Sequence, residues 1–533
     1  MKNFSNAKPL TLGAGINQLL AQYGVNVVFG IPGVHNIELF RGVEDSGIDL
    51  VLPRHEQGAG FMADGYARAS GKPGVCFVTS GPGLTNIMTP MGQAYSDSVP
   101  MLVISSVLPR HDNQKGKGII HEMRDQEAAA STVSCLSVTV DTDADISQFI
   151  GRAFSLFRVC RPRPVHLQVP TDLLNSKACT LKKLNLPERP HPSPESTKKA
   201  VAILSASKRP MIIAGGGASQ CGSEIQSIAG KLNAAVITTY AGKGIVPDDN
   251  PRCLGTVLPR KAAHKFLNSA DTVLVVGSEL ALKDFQCTSL PITGRFVRID
   301  IDPNVLAGSV PVDLPILSDA RAALADIEAK LDASSAGIEI NELDQLRQTI
   351  RAEVRREFPG TYSFIQELRK ALPDDAIISA DMTEPAYSAN ELFPMKHPSS
   401  WLHPVGFGSL GYAVPAAIGA KIAVPERPVI ALVGDYGLQF TLSEISVAVE
   451  RKLALPIIVW NNEKLWAIEQ NMVNQKIATT HSCCKNPDFQ EMARAFGAHA
   501  AMPKSLMELE EIIGKSLKRE GPTVIEIRPN HID

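Results

Sequence analysis

The chain is 533 residues long, which at about 150 residues per domain allows three or four domains. Its 53 basic and 55 acidic side chains leave a formal net charge of -2, which excludes a nucleic-acid binder working by phosphate neutralisation. A composition of 44% hydrophobic and 20% charged residues is globular rather than disordered, and no apolar run approaches the roughly 18 residues of a membrane span.

The first stretch, from Met1 to Gly13, has no apolar core of the kind a secretory signal needs, so none is expected. The nine cysteines are odd in number and scattered without a CxxC pair. That pattern argues against a disulfide framework or zinc site and for a reducing, cytoplasmic setting. The adjacent Cys483 and Cys484 read as two surface thiols.

In chain order, short apolar runs alternate with helical patterns. Val27–Phe29, Gly74–Val78 and Met101–Ile104 come first; then Pro210–Ala214, Ala235–Thr238 and Thr272–Val276; then Ala376–Ser379, Val429–Val433 and Pro456–Trp460. Such runs between helices predict parallel strands buried on both faces. Two stretches read as linkers: Pro187–Pro194, with four prolines in eight residues, and the small, polar Leu331–Gly337. A helical run, Asp319–Leu331, precedes the second. The expectation is an α/β protein of three successive doubly wound parallel-sheet domains, at residues 1–186, 196–331 and 345–533, with the first and third alike in fold.

Glycine turns sit at predicted strand ends: Gly30-Ile31-Pro32-Gly33, Ser80-Gly81-Pro82-Gly83, Gly215-Gly216-Gly217 and Gly434-Asp435-Tyr436-Gly437. Ligands of open α/β sheets bind at the carboxyl ends of strands, where loops feed helix N-termini, and so many turns suggest a large phosphorylated cofactor. The most specific pair is Asp435, after one apolar strand, and Asn462, after the next, 27 residues apart or about one crossover. Singly, each reads as a helix cap or a turn residue. Together they offer a carboxylate and an amide oxygen side by side, which suits Mg²⁺ shared with phosphate oxygens.

On these residues the chain resembles, over nearly its whole length, the thiamine diphosphate-dependent 2-oxo acid enzymes, including acetolactate synthases and 2-oxo acid decarboxylases. The resemblance makes the three blocks a pyrimidine-binding, a central and a diphosphate-binding domain. It implies that Gly434, Asp435, Tyr436, Gly437 and Asn462 hold the diphosphate, and that Asp435, Asn462 and the Lys464 carbonyl hold Mg²⁺. Tyr436 stands where the family has a second glycine. In Arg54–Gly60, Glu56 alone reads as a first-turn helix acid; the resemblance makes it the carboxyl that bonds the cofactor's aminopyrimidine and shuttles its proton. Gly83 and Asn86 belong to the same pocket by resemblance. In Gly406–Gly419, Leu410 is the residue under the bent cofactor, and the Gly408 carbonyl meets its amino group.

The central block carries Gly215–Gly217 and the strand-end acids Asp300 and Asp302. No match to the FAD-contacting segment of acetolactate synthases is seen near Leu254–Lys261, so FAD is not expected. Where such synthases carry a carboxylate-binding arginine, this chain has Glu279, suited to a guanidinium; as a bare residue it reads equally as a solvated surface acid. The segments Gly30–Gly42, Arg54–Asn86 and His121–Gln126 resemble members that decarboxylate 5-guanidino-2-oxopentanoate, and His121 and Gln126 are implied to face the pocket. The implied reaction is loss of CO₂ from that 2-oxo acid to leave an aldehyde. The alternatives are an acetolactate synthase-type carboligase and an inactive regulatory or binding homologue. The family builds each site across two subunits, so a homodimer or homotetramer is implied, with no nucleic-acid or membrane partner.

Overall fold

Eighteen strands form three six-stranded sheets, every pairing parallel, in the computed structural model, which describes residues 10–177, 181–287, 289–290, 292–308, 310–483 and 485–529. Cys179 and Cys484 lie outside the described residues, and so does the paired-thiol reading of Cys483 and Cys484. Among the described residues no helix is long and apolar enough to cross a membrane.

The first sheet is built from β1 (Val27–Gly30), β2 (Asp49–Val51), β3 (Gly74–Val78), β4 (Met101–Val107), β5 (Leu136–Thr139) and β6 (Val165–Pro170), in the order β2-β1-β3-β4-β6-β5. The second has β7 (Pro210–Ala214), β8 (Ala235–Thr238), β9 (Cys253–Gly255), β10 (Thr272–Val276), β11 (Arg295–Asp300) and β12 (Leu314–Leu317), in the order β12-β11-β10-β7-β8-β9. The third has β13 (Ile377–Ala380), β14 (Trp401–Leu402), β15 (Val429–Gly434), β16 (Pro456–Trp460), β17 (His499–Ala501) and β18 (Thr523–Ile527), in the order β14-β13-β15-β16-β18-β17. Renumbered within each sheet, the first and third share the order 2-1-3-4-6-5, as the likeness of those blocks predicts. The middle sheet is 3-2-1-4-5-6, the order of dinucleotide-binding folds. Strands such as β3, β7, β10 and β16 are buried throughout, which is why they read as unbroken apolar runs.

By packing, the chain divides into two compact units. One contains residues as far as Glu188 together with Phe407–Pro425 and Thr441–Leu453. The other contains Arg189–Gly406, Glu426–Phe440 and Ala454 onward, and so holds the second and third sheets.

In the first unit, the helix Glu56–Ser70 carries Gly58, Gly60 and Gly65, each costing about 1 kcal/mol of helix propensity. Close packing on the helix Ala413–Ala423 explains Gly65: a Cβ there would overlap the Ala416 carbonyl, and one at Gly419 would overlap that of Met62. A buried polar network locks the same contact. Tyr412 Oη donates to Asp64 Oδ1 (2.6 Å), and Arg68 bonds both Asp64 (2.6 Å) and Asp97 (2.9 Å).

In the second unit, the Leu331–Gly337 stretch is pinned rather than a loose linker: Ser334 N donates to Lys231 O at 2.7 Å, and Asn233 Nδ2 to Ser334 O at 3.0 Å. The helix that follows, Ile340–Glu357, packs Leu343, Ile350 and Val354 into the middle sheet's core with Ile213 and Val273. The predicted helix Asp319–Leu331 is Ala320–Glu328, with Asp319 as its N-cap.

Candidate active site

Glu56 opens its helix. His55 is the N-cap, in extended conformation, with its ring nitrogen accepting from Gln57 N. Asn86, in the helix Pro82–Asp97, donates Nδ2 to Glu56 Oε2 at 2.9 Å. Gly83, on the first turn of that helix, is buried, and a Cβ there would come 3.5 Å from Glu56 Oε1. The structure therefore brings Glu56, Gly83 and Asn86 together: Asn86 ties one carboxylate oxygen, and the other stands beside Gly83, whose own lack of a side chain is set by Thr79, which a Cβ would approach to 2.9 Å.

Beside them, at the carboxyl ends of β1, β3 and β4, lie His35, His121 and Gln126. His35 Nδ1 bonds Ser80 Oγ at 2.6 Å, and its ring meets that of His121 edge-on, with centroids 4.9 Å apart. Burial and His121 together lower the pKa of His35. His121 has a left-handed φ of 67°, and its Nδ1 is buried without a hydrogen-bond partner. Such a conformation in a non-glycine residue costs roughly 1–3 kcal/mol and gathers at functional sites. Gln126 is different: its Oε1 accepts from Gly81 N (2.9 Å), and its Nε2 faces Ser105 Oγ, Ser106 O and Gln168 Oε1 at 2.9–3.1 Å. It is 3% exposed and committed to bracing the Ser80-Gly81 turn.

Within the second unit, Asp435 begins the helix Asp435–Phe440 after β15 and is buried. Oδ1 accepts from Tyr436 N (2.8 Å); Oδ2 accepts from Glu463 N and Asn486 Nδ2, both at 2.7 Å. Burial, and to a lesser degree the Glu463 charge, pushes the Asp435 carboxyl up, and these donors pull it back. A buried carboxylate met only by N–H donors fits a divalent cation. Glu463, between Asn462 and Lys464 in the chain, has a left-handed φ of 56° and donates its N–H to Asp435. Asn462 Nδ2 donates to Glu384 Oε2 (3.2 Å), leaving Oδ1 as the atom it can offer a metal. Asn461 instead turns inward, onto Glu526 (2.8 Å) and Asn486 (2.9 Å). Among the described residues no group of three or more His, Cys, Asp or Glu side chains could hold a metal alone, so a cation here would share its shell with a phosphorylated ligand.

Glycine at 437 is required for space: a Cβ would lie 2.8 Å from Asp381 Oδ2. The Tyr436 ring runs along the helix to Phe440, with centroids 5.8 Å apart. Gly408 is exposed with φ of 72°, and Leu410 is half-buried in the same turn. Glu279 is exposed in the turn after β10.

At the middle sheet's switch point the glycine turn is closed onto its neighbour. Gly215 N donates to Val276 O (2.9 Å) and Gly217 N to Gly277 O (3.0 Å). Asp300 accepts from Asp302 N, and Asp302 caps the helix Pro303–Leu306, so both acids do local work.

Sequence reasoning missed Glu384, Asn486 and Glu444. Burial raises Glu384, which accepts from Trp460 Nε1 and Asn462 Nδ2. Glu444 is fully buried and accepts from Arg54 N. None belongs to a glycine turn or a strand end, and each partner lies far away in sequence.

A parallel-sheet chain with a helix-start glutamate held by asparagine, and a strand-end aspartate beside an asparagine-bearing turn, belongs to the thiamine pyrophosphate enzymes. Residues 10–129 match that family's N-terminal TPP binding domain, 197–327 its central domain and 381–527 its C-terminal TPP binding domain. The chain is 42% identical over 528 residues (98% of this chain, 94% of the relative) to a Pseudomonas aeruginosa protein named Probable 2-ketoarginine decarboxylase. It is 31% identical over 554 residues to the acetolactate synthase large subunit of Lactococcus lactis (99% and 94% covered). It is 29% identical over 528 residues to acetolactate synthase isozyme 3 large subunit of Escherichia coli (94% and 91% covered). Thiamine diphosphate is the cofactor of these domains, and the chain is a thiamine diphosphate-dependent 2-oxo acid decarboxylase or carboligase.

Proposed function

We propose that the chain decarboxylates 5-guanidino-2-oxopentanoate, taking up one proton and releasing CO₂ and 4-guanidinobutanal. The observation that carries the chemistry is Glu56, with Oε2 held by Asn86 and Oε1 beside Gly83. Bound thiamine diphosphate supplies a nucleophilic carbon and an electron sink for the loss of CO₂. Glu56 Oε1 holds and returns a proton at the cofactor's aminopyrimidine ring. Asp435, Asn462 Oδ1 and the Lys464 carbonyl would hold Mg²⁺, whose charge would favour the diphosphate there. His121, with its unpartnered Nδ1, would stand on the substrate side beside His35, while Gln126 braces the Ser80-Gly81 turn.

The substrate assignment rests on the 42% identity to the 2-ketoarginine decarboxylase relative. Glu279, exposed and anionic, receives the guanidinium by charge-assisted hydrogen bonds. The acetolactate synthase relatives, at 31% and 29% identity, favour a second reading, a carboligase joining a 2-oxo acid to a second carbonyl. Product analysis separates the two. The purified chain, with thiamine diphosphate and Mg²⁺, is given pyruvate alone or 5-guanidino-2-oxopentanoate alone. Formation of 4-guanidinobutanal supports decarboxylation; acetolactate from pyruvate overturns it in favour of the carboligase.

The active assembly is a homodimer or homotetramer. The exposed apolar side chains Val34 (85%), Ile37 (59%) and Ile120 (71%) support burial against another subunit. Light scattering that finds only monomers under turnover conditions would sink this assignment.

A further inference from the structure

Glu444 is fully buried in the first unit, on the single turn Leu442–Glu444. Its carboxylate lies across the entry to the helix Glu56–Ser70. Arg54 N donates to both Oε1 and Oε2, each at 3.1 Å, and His55 N hydrogen-bonds the same group. These are the two residues immediately before Glu56. Gly58 is the other wall: a Cβ there would overlap the Glu444 carboxylate, so glycine at 58 is what allows the carboxylate in. The seat is reinforced around its edge. Arg54 pairs with Glu450, Arg451 pairs with Asp49 at 2.8 Å, and Thr441 Oγ1 donates to Gly411 O at 2.8 Å.

A carboxylate with no exposed surface is costly to keep unless its position does something. Here it clasps the backbone that carries Glu56, and through that backbone it sets where the Glu56 side chain stands. We infer that Glu444 is a positioning residue for Glu56, holding the Arg54–His55 amides so that the Glu56 carboxyl meets its proton-transfer partner in register. The inference rests on the reading of Glu56 as the cofactor-activating carboxyl. Two further facts agree with it. Burial, and secondarily the charge of Glu56, push Glu444 up to about 7, against the pull of Arg54 and the two amides. The pair is also long-range, 390 residues apart in sequence, so a cap for local helix stability alone does not need it.

The test uses the full chain with three variants, Glu444→Gln, Glu444→Asp and Gly58→Ala, beside Glu56→Gln. Four quantities are read: thermal midpoint without cofactor, hydrogen–deuterium exchange of the segment around Arg54–Glu56 without cofactor, thiamine diphosphate affinity, and kcat and KM. In Glu444→Gln and Gly58→Ala the segment's amides should exchange at least tenfold faster. Their kcat should fall tenfold or more, with KM and cofactor affinity within threefold. Glu444→Asp, which restores the carboxylate, should recover part of kcat. A Glu444→Gln chain with wild-type kcat overturns the inference. So does a kcat loss matched by the loss of folded protein, since that is structural support alone. If Glu56→Gln keeps full turnover, the reading of Glu56 fails and this inference with it; if only Glu444→Gln keeps it, this inference alone fails.

Discussion

Asn86 Nδ2 lies 2.9 Å from Glu56 Oε2, joining the second turn of one helix to the first residue of another in the same unit across 30 residues of chain. The bond leaves the second carboxylate oxygen beside Gly83 and outside the Asn86 bond. A proton-transfer carboxyl needs that arrangement, with one oxygen fixed for direction and one left for the reaction. Glu56→Gln removes the transfer and should lower kcat by about 10²–10⁴-fold. Asn86→Ala removes only the anchor and should cost about tenfold, with the substrate KM nearly unchanged. Steady-state CO₂ release measures both.

Cofactor binding is read at Asp435. A ligand that binds only the folded chain stabilises it by about 2.7 kcal/mol at a hundredfold excess over Kd. Wild-type protein should therefore melt several degrees higher with thiamine diphosphate and Mg²⁺ together, and Asp435→Asn should lose most of that gain, measured against its own apo midpoint. An Asp435→Asn chain stabilised as fully as wild type would remove Asp435 from the metal site.

Gly437→Ala sets a methyl 2.8 Å from Asp381 Oδ2 in a closely packed turn. Overpacking of this kind costs about 1–3 kcal/mol, so the apo midpoint should drop before any cofactor is added.

The Asp64–Arg68–Tyr412 network predicts unequal losses. Tyr412→Phe takes one donor from a fully buried carboxylate, at a cost of about 1–3 kcal/mol. Arg68→Met leaves that carboxylate without its cation and should cost about 3–5 kcal/mol. Urea unfolding that ranks them the other way would show Arg68 to be the lesser support.

His166 sets a pH dependence. It is fully buried between Ser105 Oγ and Ser137 Oγ, both at 2.8 Å, and burial lowers its pKa from 6.5 to about 3. Below pH 6.5 the unfolded chain takes up a proton that the folded chain refuses until about pH 3. This group's effect is therefore absent above pH 6.5 and destabilising below it, by up to about 1.4 kcal/mol per pH unit. His166→Asn should flatten the fall in urea midpoint between pH 6 and 4.5; an unchanged slope would show that His166 is protonated in the folded state.

Much of this protein was legible before folding. Parallel strands buried on both faces must be apolar along their length, so Gly74–Val78, Pro210–Ala214, Thr272–Val276 and Pro456–Trp460 stand in the structure with the bounds they have in the sequence. Local spacing paired Asp435 with the turn that bears Asn462, and the family resemblance grouped Glu56, Gly83 and Asn86, which meet in the structure. Gln126 and His121 show where spacing stops informing. They are neighbours in sequence, yet one is saturated with hydrogen bonds and the other keeps a bare buried nitrogen.

Strand order, the pinning of Ser334 and the grouping of Phe407–Pro425 with the first unit are decided by which surfaces meet, and no local pattern encodes that. Glu444 is the clearest case: in the sequence it is one acid among 55, and only the folded chain, closing 390 residues, puts it on the amides just before Glu56. The sequence by itself determined the elements, through periodicity, and the residue types for the chemistry, through the Asp435–Asn462 spacing and the family resemblance. The tertiary structure alone decided which of them touch, because burial and hydrogen bonding are settled between segments far apart along the chain.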